Sequence, residues 1–380
     1  MVIDARRDHS LRIPRPDLTV KLGVPNACQN CHAGKSAQWA ADELTKRYGH
    51  SAIGFQHFGQ ALDAGQAGAP RAGQLLANLI ADRSQPAIAR ASALSLIAGI
   101  AESSIDPAIR LGMSDPSPLV RRAAARALDN RDSMDVASIV EPLLSDAVRE
   151  VRLEAANVLA GLSGSEIPGE YVKALHPALA EYVNTQNLNA DRPEAHINLG
   201  LLFAKEKKFD AAEAEYRTAL QIDPAFAPAA VNLADLYREL GRDRDGEGVL
   251  TNAISRSPGD ASLRHALGLL MVRRGQKQAA ISQLAEAARL DPDNSRFAFA
   301  YAAALIDAGQ ANEARGLLEA SVRRHPFDRD TLAALTDLYT EAGKIPQAMS
   351  YARRLAEVEP DDANAKQSLI QLQKRANRSK

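Results

Sequence analysis

Pro224, Pro258, Pro292, Pro326 and Pro360 fall 34 residues apart without a slip, and Gly241, Gly275, Gly309 and Gly343 keep the same period. A unit of that length holds two helices and two turns, too little to bury a core alone, so each unit must cover its apolar face with the next. Each one starts a helix after its proline boundary, turns at the glycine and closes with a second helix, as in Pro193-Glu194-Ala195-His196-Ile197-Asn198-Leu199-Gly200 followed by Asp210 to Ala219. The whole chain of 380 residues exceeds what one compact core can serve. Its apolar set is dominated by alanine and only 4% of residues are aromatic, which favours closely packed helices over sheets. The expected fold class is all-α, an α-solenoid.

The eighth residue of the first helix is Gly200, Ala234, Gly268, Ala302 and then Thr336, and the second helix carries Ala212, Gly246, Ala280, Ala314 and Ala348. Small side chains are needed where the two helices of a hairpin approach. With these residues in place, residues 193–360 resemble the tetratricopeptide repeat family in period and in its Leu-Gly, Ala and Pro positions. His196 stands at the usual tryptophan position, and Lys207 stands where the later repeats have the turn glycine.

Upstream a second comb appears: Ala89-Arg90, Val120-Arg121 and Val151-Arg152 recur every 31 residues, with Ala93, Ala124, Ala155 and then Ile97, Leu128, Leu159 in step. Asp115 precedes Arg121 by six residues and Asp146 precedes Arg152 by six. This spacing resembles HEAT repeats, in which turn aspartates and helix arginines bond between neighbouring units. Ser84 replaces the first aspartate, so an incomplete ladder is expected. The predicted organisation is an N-terminal segment at 1–62 that holds both cysteines, HEAT-like repeats at 70–165, a connecting helix at 171–192, five tetratricopeptide units at 193–362 and a capping helix at 363–380, the last two segments following the HEAT-like units as an α-solenoid.

A solenoid leaves a concave face over, and binding is its default use. The tetratricopeptide resemblance implies that first helices line that face, through Ile197, Leu201, Val231, Asp235, Arg238, His265, Leu269, Arg296, Phe299 and Ile306. A protein or peptide is the expected partner. The family's clamp for chaperone carboxylate tails needs lysine and asparagine where this chain has Ile197 and Leu201, so that partner class is not expected.

With 46 basic and 47 acidic residues the net charge is −1, and no overall field draws the chain to nucleic acid or to an anionic membrane. No apolar run is long enough to span a bilayer, and the first thirty residues lack the apolar stretch of a secretory signal. Arg6-Arg7 is followed by polar, proline-spaced residues and does not read as a twin-arginine signal.

Both cysteines sit in Cys28-Gln29-Asn30-Cys31-His32, the C-x-x-C-H pattern of covalent haem attachment. Each thiol can add across one vinyl group, and the adjacent histidine can supply the proximal nitrogen to iron. The competing explanations each lack something. A thioredoxin-like pair wants a strand and a parallel sheet, whereas a proline-rich arm, Arg12-Ile13-Pro14-Arg15-Pro16, precedes this one. Structural zinc wants four protein ligands, and beyond Cys28, Cys31 and His32 only distant histidines remain. A fortuitous pair is the third alternative.

His9, His50 and His57 are candidates for a sixth ligand, His9 first and His57 second, because no methionine other than Met1 precedes Met113. Bis-histidine ligation implies a low potential. Ser36 can cap a helix to Tyr48 that stops at Gly49, with Ala37, Ala40, Ala41, Leu44 and Tyr48 as its apolar stripe. Trp39, the single tryptophan, falls on the polar face, where either the edge of a haem or the first HEAT-like helix would cover it. Gly34-Lys35-Ser36 is no phosphate loop, since Gln29 occupies the place of the first glycine. No nucleophile with a base and no metal-binding helix motif is present, so catalysis by this chain alone is not expected.

Asp8 to Asp17, Pro25 to His32 and Ser36 to Trp39 together resemble the C-terminal part of multihaem c-type cytochromes that carry tetratricopeptide repeats. The resemblance implies one covalent haem c on Cys28, Cys31 and His32, with His9, His57 and Trp39 beside it, and iron held by His32 and His9. It also implies electron transfer in the periplasm, with a multihaem redox partner or a separate N-terminal haem domain docked on the solenoid. Met1 would then be an internal start, or the haem domain would be separately encoded. The alternative is a haem-free, cytoplasmic adaptor whose repeats hold a protein.

Overall fold

The computed structural model describes residues 14–50, 58–100, 105–129, 131, 136–162 and 169–378, and every regular element among them is helical. The all-α solenoid expected from the two combs is the architecture found.

The N-terminal segment holds α1 (Pro16–Leu22), α2 (Cys28–Cys31) and α3 (Ala37–Tyr48). Pro16 opens α1 at a position whose N–H would be unsatisfied in any case, and Gly23 closes it at φ +71°. Ser36 caps α3 by accepting the Trp39 N–H at 3.1 Å, and Gly49 ends it at φ +76°. Of the predicted apolar stripe only Ala40 is buried, and Tyr48 at its end is 63% exposed.

Eight helices and one short 3-10 turn follow: α4 (Phe58–Ala67), α5 (Ala72–Ala81), α6 (Ala87–Ile97), α7 (Asp106–Met113), α8 (Pro118–Arg126), α9 (Val136–Val140) with the 3-10 turn Glu141–Ser145, α10 (Arg149–Leu159) and α11 (Gly169–Asn187). The comb positions are the core: Ala93, Ala124, Ala155, Ile97, Leu128 and Leu159 are all buried. Beside this core runs the ion-pair ladder. Arg90 pairs with Asp115, and Arg121 grips Asp146 with two hydrogen bonds of 2.7 and 2.9 Å. Each arginine reaches forward to the next unit, so Ser84 in the first turn interrupts no rung. At the far end Arg152 lands on Glu181 of α11 at 2.7 and 3.0 Å, joined by Arg149 at 3.0 Å. These two arginines, Arg152 first, hold the Glu181 carboxyl down to about 2.

The tetratricopeptide part alternates first helices α12 (Pro193–Lys205), α14 (Ala227–Glu239), α16 (Ala261–Arg273), α18 (Ser295–Asp307) and α20 (Arg329–Glu341) with second helices α13 (Phe209–Ile222), α15 (Asp243–Arg256), α17 (Lys277–Leu290), α19 (Ala311–Arg324) and α21 (Ile345–Val358). A last helix, α22 (Ala363–Arg378), begins 34 residues after α20, in the register of a first helix, and packs on α21. Close approach explains the small residues: a Cβ on Gly200 would sit 2.4 Å from the Tyr216 ring, and one on Gly268 2.6 Å from Leu284 Cγ. Gly241, Gly275, Gly309 and Gly343 turn the chain at φ between +69° and +79°, and Lys207 takes the same left-handed turn at +59° without being glycine.

Lys205 fastens the two solenoids together. Its ammonium donates to both Asp129 oxygens at 3.0 and 2.9 Å and to the Asn157 carbonyl at 3.2 Å. At the other edge of the molecule a Cβ on Gly68 would lie 3.8 Å from the Phe327 carbonyl oxygen, and a cavity of about 610 Å³ opens there between the α4–α5 corner and the start of α20.

Two stability predictions follow from this packing. Asp115→Ala leaves the buried Arg90 guanidinium without its carboxylate and is expected to cost about 3–5 kcal/mol in chemical denaturation; a loss below about 1 kcal/mol would show that the ladder contributes little. Lys207→Gly relieves a left-handed side chain and is expected to gain about 1 kcal/mol, whereas a loss would contradict the strained turn.

Candidate functional site

The C-x-x-C-H motif forms a single helical turn in which the His32 N–H donates to the Cys28 carbonyl at 2.9 Å. Four residues are too few to hold a turn by themselves. Asn26 supplies what is missing: its Oδ1 accepts the N–H groups of Cys28 and Gln29 at 3.0 and 3.3 Å, while its amide donates to Thr19 Oγ1 of α1 at 2.8 Å. The amide also donates to Gln29 Oε1 at 3.1 Å. One side chain thus shapes the motif and ties it to α1, which packs on α3 and touches α4. Sequence reasoning did not single out Asn26 or Thr19, although an asparagine just before a turn is a legible Asx signal.

Cys28 is half-buried, Cys31 is exposed, and both thiols are free. The His32 imidazole lies against Trp39 with ring centroids 5.0 Å apart and planes tilted by 56°, and Lys35 Nζ stands 5.6 Å from the indole. Trp39 therefore packs on one side of His32, which stays exposed, and Ser36 caps the helix that carries the indole. Among the described residues no three His, Cys, Asp or Glu side chains converge as metal ligands. Their chemistry and presentation suit haem: two reachable thiols for two vinyl groups, and one imidazole with no hydrogen bond to its nitrogens among the described residues. His9 and His57 lie outside the described residues; His50 is exposed at the end of α3.

The groove candidates divide. Leu201, Asp235, Arg238, Arg296 and Ile306 are exposed on first helices, and Val231, Leu269 and Phe299 are half-buried there. Asp235 and Arg238 pair with each other at 3.1 Å. Ile197 and His265 are instead closed into the packing between repeats, each 8% exposed, Ile197 against Ala219 and Ala229 and His265 against Phe297 at 4.8 Å. Val231 and Phe299 hold the same fifth position of their first helices and stay half-buried, so the overlap by neighbouring side chains differs from repeat to repeat. Neither His265 nitrogen has a hydrogen-bond partner, and burial, with Arg296 second, lowers its pKa to about 4. The exposed apolar residues of this surface include Val272, which the sequence analysis passed over.

The model for HEAT repeats matches residues 73–160 and 105–182, and models for the tetratricopeptide repeat match 172–225, 203–270, 271–338 and 305–372. The chain carries HEAT repeats followed by tetratricopeptide repeats. Solved structures similar to this HEAT–tetratricopeptide chain include PilW, described as a widely conserved type IV pilus biogenesis factor, at 17% identity over 59% of this chain and 100% of that one, with a TM-score of 0.44. PilF of Pseudomonas aeruginosa is 21% identical over 49% of this chain and 84% of its own, with a TM-score of 0.43. MamA is 20% identical over 45% and 94%, with a TM-score of 0.39. The comparison with curated proteins returns no match. A repeat scaffold for protein–protein interaction is the general role of this architecture.

The buried imidazole gives a pH prediction. The unfolded chain takes up a proton on His265 near pH 6.5 and the folded chain only near 4, so the unfolded state holds more protons between those values. Stability is therefore expected to fall as pH drops from 6.5 towards 4, by at most about 1.4 kcal/mol per unit from this residue. His265→Leu should flatten that slope and gain about 1 kcal/mol at pH 7 by removing an unpaired polar group. Denaturant titrations at pH 7 and 5 check it; equal pH slopes for the two proteins would contradict it.

Proposed function

We propose that this chain is a periplasmic, haem-bearing docking protein for electron transfer: Cys28, Cys31 and His32 hold one haem c, and the repeat solenoid holds a redox partner or a separate haem domain. The observation that carries the proposal is the Cys28–His32 turn, shaped by Asn26 and backed by Trp39, with Cys28 half-buried and Cys31 and His32 exposed. Cys28 and Cys31 would each add a thiol S–H across a vinyl double bond to form thioethers, and His32 would give its imidazole nitrogen to the iron. Bound in this way, haem supplies a one-electron couple. The chain's own part is to fix the attachment turn on α1 through Asn26, to limit rotation of the His32 ring through Trp39, and to present both at the surface where electron transfer needs a short approach.

The rigid repeats support the docking half of the proposal. The forward-reaching arginine ladder and the Lys205 tether hold the HEAT and tetratricopeptide parts together, so a partner seated on one is placed relative to the other.

Expression with an export leader beside the haem-attachment machinery is expected to give red protein with a Soret band that survives denaturation. Cys28→Ser with Cys31→Ser should abolish the colour while leaving the melting temperature of the repeats unchanged. A colourless wild-type protein under those conditions overturns the electron-transfer proposal and leaves the repeat scaffold.

A further inference from the structure

The first helices of the tetratricopeptide part pack against one another in sequence, α12 on α14, α14 on α16, α16 on α18 and α18 on α20, and so form the inner layer of the superhelix. Their exposed and half-buried residues at the ninth and later positions change character along the layer. Leu269 and Val272 on α16 and Ile306 on α18 are apolar, with Val272 45% and Ile306 39% exposed. On α20 the ninth and thirteenth residues are Asp337 and Glu341, one turn apart and both exposed, and they flank Thr340, which stands in the place of Val272 and Ile306. Neither has a cationic or hydrogen-bonding partner among the described residues, whereas Asp235, at the ninth position of α14, pairs with Arg238 at 3.1 Å and Asp307, at the thirteenth position of α18, with Lys277 at 3.0 Å. Like charges at i,i+4 on one helix repel, so the pair weakens α20 unless something cationic lies over it. The Asp337 carboxyl feels this directly, pushed up by partial burial and by the Glu341 charge.

Resting on the docking half of the proposed function, we infer that the groove takes an extended, amphipathic protein segment whose apolar side chains lie on Leu269, Val272 and Ile306 and whose lysine or arginine reaches Asp337 and Glu341. Geometry sets the spacing of that segment. Neighbouring helix axes stand about 8–10 Å apart, and an extended chain advances about 3.3 Å per residue. One repeat therefore corresponds to about three residues of ligand, which gives apolar, two intervening residues, apolar, two intervening residues, then the cation. A peptide with an acid at that last position would meet two uncompensated carboxylates and be rejected.

Selection from a displayed random dodecapeptide library on the whole protein tests this, run in parallel on the wild type and on a variant carrying Asp337→Asn and Glu341→Gln. Both substitutions keep size and exposure, and circular dichroism checks that the variant is folded. The expected outcome is enrichment on the wild type of peptides with lysine or arginine about three residues beyond an apolar residue, with that basic preference lost on the variant. A synthetic enriched peptide should bind the variant about fivefold more weakly and should lose binding to Val272→Asp. Enriched peptides that need Val272 but show no basic preference, or bind wild type and variant alike, overturn the inference and leave the docking reading standing. No enrichment at all overturns both.

Discussion

The structure depends on one steric constraint, the contact between the eighth residue of each first helix and the second helix of the same hairpin. At Gly200 and Gly268 that contact leaves no room for even a methyl group, since the added carbon would overlap Tyr216 or Leu284. Ala234 and Ala302 are buried at the same place with a methyl that just fits, and Thr336 fits by turning its hydroxyl to the Leu332 carbonyl at 2.8 Å. Hairpins closed this tightly present a regular first-helix layer, and it is that layer which forms the groove. The surface for a partner is thus a consequence of core packing.

The two halves of the solenoid solve the stacking problem differently. The tetratricopeptide part relies on small residues and left-handed turns; the HEAT part adds a run of buried or half-buried ion pairs, Arg90–Asp115, Arg121–Asp146 and Arg152–Glu181. Such pairs add little net stability when complete but cost much when broken, so they fix the register of one unit on the next. The last rung falls on α11, the helix that leads into the first tetratricopeptide hairpin, and Lys205 returns from that hairpin to Asp129 and Asn157. The N-terminal segment joins the same frame through α1, where Leu18 and Leu22 lie close to Gly59 of α4. Its cysteine turn therefore projects from a fixed base.

What repeats was legible in the sequence, because a proline or a positive-φ glycine constrains the backbone wherever it stands and its spacing survives in the text of the chain. The hairpins, the helix ends at Gly23 and Gly49 and the alanine combs all belong to this class. What breaks the period was not legible. Glu181 lies 29 residues from its arginine, where the earlier rungs span 25, so the spacing of the ladder does not mark the last rung. Lys205 and Asn26 each make contacts that no repeat position marks, and the approach of Gly68 to Phe327 depends on the curvature accumulated over the whole superhelix. For the site, Cys28, Cys31, His32 and Trp39 were readable as a group, while the burial of Ile197 and His265 was hidden, since helical position alone does not say how far a neighbouring helix overlaps it.

We propose a rigid repeat scaffold that carries one covalent haem on the Cys28–His32 turn, and the intact mass of the exported protein after acid–acetone extraction tests this. A mass raised by one haem, with neither Cys28 nor Cys31 open to alkylation, is the predicted result. The unmodified polypeptide mass with two alkylated thiols would contradict it.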